Sequence, residues 1–415
     1  MATGHREGMF RPRQVHSADN QMPVLDLPQT SLPLLRRAHL VLAFLLHFYV
    51  HTSPNANTTQ AALPIPRSLS IPVVTVSNLL GLPPVVTYSD TVLYNFAPTD
   101  LSAGVSITNL PSRALETFTN TRSEEMFYII SAQCEIAGAE ALRLMRQSLD
   151  ELFLADEVAL RRLTSYLRKL AVHIDLIGDI TLSMMKEIDP EEFYHLIRPW
   201  FKGGDSDGPE SKGWEFQGVD DIDAAEDAQS GKSRTGSLFS GPSAGQSSLI
   251  HAIDIFLTVD HAPRENEAIV LDSEPVGQSK PNEATFVQRM LQYMPLQHRS
   301  FLLHLAGHPT PLRQLVLAQA QTNPKLAAAY DGALDALRRF REKHMRIVSM
   351  FIVQQARRQP SERIQQLVGQ VDIAQTTGEL RGTGGSPLFK FLKRCRDNTT
   401  RAMVGKPAGP GYELE

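Results

Sequence analysis

The sequence predicts an all-α protein: a large helical bundle preceded by a smaller, mostly helical N-terminal domain. Three observations carry this. From Ser123 onward, apolar residues recur at three- and four-residue spacing in segment after segment, the period of a buried helix face. The clearest seam, Leu160, Leu163, Leu167, Leu170, Ile174 and Ile177, must lie against another helix. The longest stretch, 324–358, sets Ala329, Leu337, Phe340, Ile347, Val348 and Phe351 on one stripe with a histidine, His344, in its middle.

Taken in order, residues 1–30 are polar and mixed in charge, the composition of a disordered terminus. A small domain is expected over 31–115. It opens with a helix from Ser31 to Val50, whose apolar run Ala38 to Val50 is interrupted by His39 and His47; too short for a bilayer, it reads as a buried helix. Residues 54–68 form a Pro/Asn/Thr-rich connection, and Gly81, Pro83 and Pro84 break the following segment into short helices and turns. The large domain spans 116–415. Thr121 and Glu124 have capping-box spacing ahead of the apolar segment Met126 to Leu144. Pro190 opens a short helix, Glu191 to Arg198, stopped by Pro199. The Gly/Ser/Asp-rich insert 203–241 is expected to be a mobile surface loop. The small-residue stretch 241–248 feeds a helix to about Val259, and a polar loop follows to Glu283. Helices come next near Phe286 to Tyr293, Leu296 to Leu305 and Pro311 to Ala320, and then the His344 helix. Residues 359–385 read as a mobile loop ending in the turn Gly382-Thr-Gly-Gly385, with Ser386 and Pro387 as N-cap and first residue of a last helix.

With 42% hydrophobic and 21% charged residues in 415, the composition is that of an ordinary globular protein. A net charge of −4 predicts neither a nucleic-acid surface nor a polybasic membrane anchor. Two cysteines, Cys134 and Cys395, cannot build a zinc or iron–sulfur site alone and read as buried thiols in a reducing compartment. Without an N-terminal secretory pattern, the chain is expected to be cytoplasmic. It has no GxSxG elbow, Walker loop, strand-borne GxGxxG or HExxH, so the corresponding hydrolase, nucleotide-binding and zincin readings are excluded.

Two positions call for an explanation. His344 on an apolar face is either a neutral, hydrogen-bonded core imidazole or the axial ligand of a buried metal cofactor. Asp254 shares a helix face with Ile250, Ile253 and Leu257 and needs a cation or donor there. Arg341, one turn before His344, is a candidate partner; an ordinary surface or intrahelical ion pair accounts for the same residues equally well.

Five motifs resolve the pattern by their order. Phe193-Tyr-His-Leu-Ile-Arg198, Pro242-Ser-Ala-Gly-Gln-Ser-Ser248, Tyr293-Met-Pro-Leu-Gln-His-Arg299, Arg339 to Phe351 and Gly382 to Gly385 follow the order seen in the indoleamine 2,3-dioxygenase family, which the chain resembles from about residue 70 to its end and, weakly, over the helix from Leu34 to Val50. The resemblance implies a haem-dependent dioxygenase acting on L-tryptophan or a related indoleamine, with haem b, active in its ferrous form, as cofactor and O2 as co-substrate. It makes His344 the proximal iron ligand, and Asp254 and Arg341 a propionate-side ion pair. Phe127 and Ser131 become the distal aromatic and hydroxyl, Tyr88 and Phe193 pocket aromatics, and Arg198 the clamp on the substrate carboxylate. Ser243 and Ala244 flank the haem, and Thr383 contacts substrate and propionate. Ser131 and Arg198 are the residues it places at the chemistry. The partners implied are a small indole, O2 and an electron donor, for a monomer engaging neither nucleic acid nor membrane. A short N-terminal domain, the long insert, Thr91 and Pro242 depart from the family pattern. They leave open a paralogue oxidising another indole in specialised metabolism, or a haem-binding protein without dioxygenase activity.

Overall fold

The structure, a computed structural model, describes residues 23–25, 31–53, 61–206, 211–219, 237–261, 286–309, 311–368 and 388–405. Thr383, the turn 382–385, Ser386 and Pro387 lie outside these residues, as do most of 1–30, the centre of the 203–241 insert and most of the 260–283 loop. Contacts group the chain into two compact units, 1–86 with 200–241, and 87–199 with 242–415. The expected division, 31–115 against 116–415, differs from this grouping at both ends. Residues 87–115 pack with the large unit, and the insert returns to the small one.

In the small unit, helix α1 (Leu32–Thr52) packs on α2 (Arg67–Leu80). At 21 residues α1 exceeds the apolar run read from sequence, and it is long and apolar enough to cross a membrane by length and composition. Its buried face is nevertheless built for this unit. His39 and His47 are fully buried, and each is satisfied by backbone, His39 Nε2 on the Pro83 carbonyl at 3.3 Å and His47 Nδ1 on that of Trp200 at 2.8 Å. The Val86 amide donates to His47 Nε2 at 3.2 Å, so Nδ1 carries the proton.

The described parts of the insert are ordered rather than free loop. Trp214–Phe216 pairs in parallel with Leu63–Ile65, and Trp214 exchanges two backbone hydrogen bonds with Ser237. Trp214 and Phe216 are buried, so the pattern apolar, polar, apolar in Trp-Glu-Phe is a half-buried strand. Glycine is required where the insert begins and ends: a Cβ on Gly203 would stand 2.2 Å from the Phe239 carbonyl oxygen, and one on Gly241 1.9 Å from that of Phe201.

The large unit is the helical bundle. Helix α3 (Arg122–Leu154) packs against α4 (Glu157–Leu182), which lies along the long helix α11 (Pro324–Val348). The α4 seam from Leu160 to Ile177 is buried throughout and joins Leu334, Leu337 and Ile253 in one core. Between α4 and α11 come α5 (Met184–Glu187), α6 (Pro190–Glu192), α7 (Ser248–Phe256), α8 (Phe286–Leu291), α9 (Leu296–Ala306) and α10 (Leu312–Gln319). After α11 follow α12 (Glu362–Val368) and α13 (Leu388–Arg401). The expected loop from 359 therefore starts with a helix. Arg363 ties it down, donating to Glu192 at 2.8 Å and Asp189 at 3.0 Å. Besides helices this unit holds one antiparallel pair, Phe96–Pro98 with Pro111–Ala114, among its described residues.

The cap of α3 is half of the expected box. Thr121 Oγ1 accepts from the Glu124 amide at 3.3 Å, but the Glu124 carboxylate reaches past Thr121 to the amides of Phe118 at 2.7 Å and Thr119 at 2.6 Å. It thereby fixes the incoming chain rather than the cap residue itself.

Candidate active site

Three helical segments of the large unit change to i→i+5 closure, at Ser89–Leu93, Phe193–Ile197 and Ser349–Val353. Such π-turns are rare and concentrate at functional sites. The one after α6 shows why. In an α-helix, residues five apart sit about 140° apart around the axis. Here the Arg198 amide closes on the Phe193 carbonyl, bringing the two residues towards one side. The expected helix Glu191 to Arg198 is thus a short α-turn, a π-turn and a 3-10 turn, Arg198–Phe201, which continues through Pro199. Proline has no amide to give to the preceding turn, which favours the change of closure.

Phe193 gathers the aromatics. Its ring lies 4.9 Å from Phe127 and, edge on, 5.6 Å from Phe351, joining the N-terminal end of α3 to the π-turn after α11. The Arg198 guanidinium lies 5.4 Å from the Tyr194 ring centroid. Burial pulls its pKa below the ordinary arginine value, with Tyr194 opposing. Arg198 is half-buried.

Four-residue spacing puts Phe127 and Ser131 on one face of α3, each half-buried while Ile129, Ile130 and Ala132 are buried. The Ser131 hydroxyl donates back to the Phe127 carbonyl at 2.8 Å, so its proton is held by its own helix and its oxygen remains as an acceptor. Tyr88 precedes the first π-turn. Ser243 Oγ caps the 3-10 turn Ala244–Gln246 by accepting from the Gly245 amide at 3.2 Å, and Ala244 is exposed.

His344 lies deep while keeping accessible surface. Neither ring nitrogen has a hydrogen-bond partner among the described residues, unlike His39 and His47. Burial, helped by the nearby Arg341 charge, lowers its pKa to about 4, so the imidazole is neutral at ordinary pH with a lone pair to give. A satisfied core histidine would also be neutral but would have a partner on at least one ring nitrogen.

One turn away, Arg341 is buried and donates from Nη2 to both Asp254 oxygens at 2.6 Å. The pairing expected from burial is present, and it is part of a larger network than the sequence suggested. Arg341 Nη1 donates to the Cys395 carbonyl at 2.8 Å and to Thr399 Oγ1, both on α13. His261 Nε2 lies 3.1 Å from Asp254 Oδ2. Burial raises the Asp254 carboxyl, but the Arg341 charge and His261 outweigh it and hold the group at about 2. Burial lowers His261, yet its bond to Asp254, with Cys395, carries it up to about 9. His261 lies in a segment read as loop and was not singled out; an imidazole seven residues after Asp254 was the available signal.

A family model described as indoleamine 2,3-dioxygenase matches residues 5–402. The chain belongs to the indoleamine 2,3-dioxygenase family. The match takes in both units and extends beyond residue 70 and the weakly similar helix from Leu34 to Val50. Indoleamine 2,3-dioxygenase 1 of Mus musculus is 28% identical over 374 residues, 90% of this chain and 81% of that protein. The Saccharomyces cerevisiae indoleamine 2,3-dioxygenase is 29% identical over 405 residues, 93% and 83% respectively. A 6-hydroxytryptophan 2,3-dioxygenase of Fusarium equiseti is 28% identical over 373 residues, 89% and 81%. Members of this family are haem-dependent oxidoreductases of the dioxygenase class, and so is this chain.

The haem can be tested against the residues present. His344 supplies one unpartnered neutral imidazole, the donor that an iron porphyrin takes on its axial position. Beside it, the Arg341, Asp254 and His261 cluster sums to one positive charge at neutral pH, suited to carboxylates nearby. These residue types fit the group.

Proposed function

We propose that the protein inserts both atoms of O2 across the indole C2–C3 bond of L-tryptophan or a related indoleamine, giving N-formylkynurenine from tryptophan. The observation that carries this reading is the unpartnered, neutral His344 in a chain of this family, which also brings Phe127, Phe193 and Phe351 together. Haem b in its ferrous form would be held by His344 and would supply O2 binding and the redox chemistry of ring cleavage.

The chain's own residues bind and orient. Phe127 and Phe193 offer a planar, apolar wall to an indole, and Tyr88 adds a further ring. Arg198 presents a planar fork to the amino-acid carboxylate, held rigid by burial and by Tyr194. The Ser131 proton is committed to Phe127, so the hydroxyl offers the substrate an acceptor rather than an acid. Ser243, Ala244 and Thr383 flank haem and substrate in this reading. Since both oxygen atoms end in the product, the electron donor is needed only to keep iron ferrous. The proposal extends to a cytoplasmic monomer acting at the first step of the kynurenine pathway.

A second reading, that another indole is the true substrate, is favoured by the similarity to a 6-hydroxytryptophan 2,3-dioxygenase. Competing tryptophan, 6-hydroxytryptophan and tryptamine under reducing, aerobic conditions tests both. A product 32 mass units heavier than tryptophan with the highest kcat/KM supports the first reading. Preference for another indole supports the second, and haem loading without any oxidised indole contradicts both.

A further inference from the structure

One carboxyl group lies on the α3 stripe that carries Phe127 and Ser131 without being a residue that binds haem or substrate in the proposed reaction. Phe127, Ser131 and Glu135 follow at four-residue spacing, so Glu135 continues the face that carries the two distal residues. Like them it is half-buried. Its Oε1 accepts two hydrogen bonds from two distant segments, one from the Tyr88 hydroxyl at 2.9 Å and one from Ser247 Oγ at 2.6 Å. The same segments are joined a second time, where the Tyr88 amide donates to Gln246 Oε1 at 2.8 Å. Ser247 is the N-cap residue of α7, the helix that carries Asp254, and its hydroxyl serves Glu135 instead of the helix amides.

We propose that Glu135 is a positioning residue of the dioxygenase site, a shared acceptor that holds the Tyr88 ring and the Ser243–Ser247 loop in register with Phe127 and Ser131. It acts through geometry, not proton transfer. Two hydroxyls converge on a single oxygen, and each belongs to a segment with a residue the site uses: Tyr88 itself, and Ser243 with Ala244. Burial raises the Glu135 carboxyl's pKa, with Ser247 and Tyr88 opposing; burial, and then the neighbouring Glu135 charge, pushes the Tyr88 phenol well above its ordinary value. Its raised pKa keeps the phenol protonated as the donor.

The proposal rests on the dioxygenase reading, and its test separates the two. Glu135→Gln keeps an acceptor oxygen for both hydroxyls, whereas Glu135→Ala removes it. We expect Glu135→Ala to raise KM for tryptophan about tenfold with haem content and Soret position unchanged, and Glu135→Gln to stay within about twofold of the parent. In the haem-free chain, hydrogen exchange of peptides covering 85–93 and 240–249 should quicken in Glu135→Ala and not in Glu135→Gln. If Glu135→Ala does not fold, the double variant Tyr88→Phe with Ser247→Ala removes the donors instead and should quicken the same peptides. Unchanged exchange and KM in Glu135→Ala overturn the proposal; so does a Glu135→Gln variant as impaired as Glu135→Ala, which would make charge the operative property. A parent protein without dioxygenase activity overturns the reading beneath it, while the exchange result still decides whether Glu135 positions these segments.

Discussion

Replacing Asp254 by asparagine removes the charge but little of the volume from the buried cluster. Arg341 then keeps its bonds to the Cys395 carbonyl and Thr399 but loses its carboxylate partner, two contacts of 2.6 Å. Breaking a buried pair from one side costs about 3–5 kcal/mol, because the remaining charge is left desolvated. For a unit of this size that lowers Tm by roughly 5–8 °C. The pH dependence has a definite sign. Asp254 is depressed to about 2, so its contribution is complete above the ordinary carboxylate value and is lost as pH falls through about 2. His261 is raised to about 9, so its contribution is complete below the ordinary imidazole value and is lost as pH rises through about 9. Thermal unfolding of the parent should thus be steady between the two ordinary values and decline on both sides. Asp254→Asn should be lower throughout and flatter at both limbs. The double replacement Asp254→Leu with Arg341→Met should recover most of the loss, since no charge stays buried. An Asp254→Asn variant that melts within 2 °C of the parent would refute this reasoning.

Other substitutions separate binding from structure. His344→Ala should abolish haem incorporation, read from the Soret band, while changing Tm of the haem-free chain little, because no hydrogen bond is lost; in the parent, haem uptake should be constant from neutral pH down and fail as pH falls through about 4. Arg198→Ala should raise KM for tryptophan roughly 10–100-fold, the loss of hydrogen bonds to a charged group, and leave KM for indoles lacking a carboxylate within threefold. Ser131→Ala should keep kcat within about threefold of the parent, since its hydroxyl proton is already engaged by Phe127; a larger fall in steady-state assays would show that the hydroxyl turns to the substrate.

How far the sequence could be read depended on whether the signal was local. The α4 seam and the α11 stripe are legible because burial repeats every turn, and Asp254 with Arg341 because a carboxylate on an apolar face demands a cation. The π-turns are not legible that way, since one extra residue in a turn leaves no periodic trace; only the relation of Phe193 to Arg198 reveals its purpose. The pairing of Leu63–Ile65 with Trp214–Phe216 joins segments far apart in the chain, so the insert read as a loop. Glu135 was within reach, two helical turns beyond Phe127, but a polar residue on a helix invites the reading of a solvated face. Its role emerges only once Tyr88 and Ser247 are seen to converge on it.

The central claim is that His344 holds a haem at which an indole ring is opened by O2. Purified protein reconstituted with hemin, reduced, and given tryptophan with 18O2 tests it in one measurement, read by absorbance and mass spectrometry beside His344→Ala. The account predicts a Soret band in the parent only, and a formylkynurenine product carrying two 18O atoms. A parent that binds no haem, or a His344→Ala variant that binds haem and turns over as well as the parent, would contradict it.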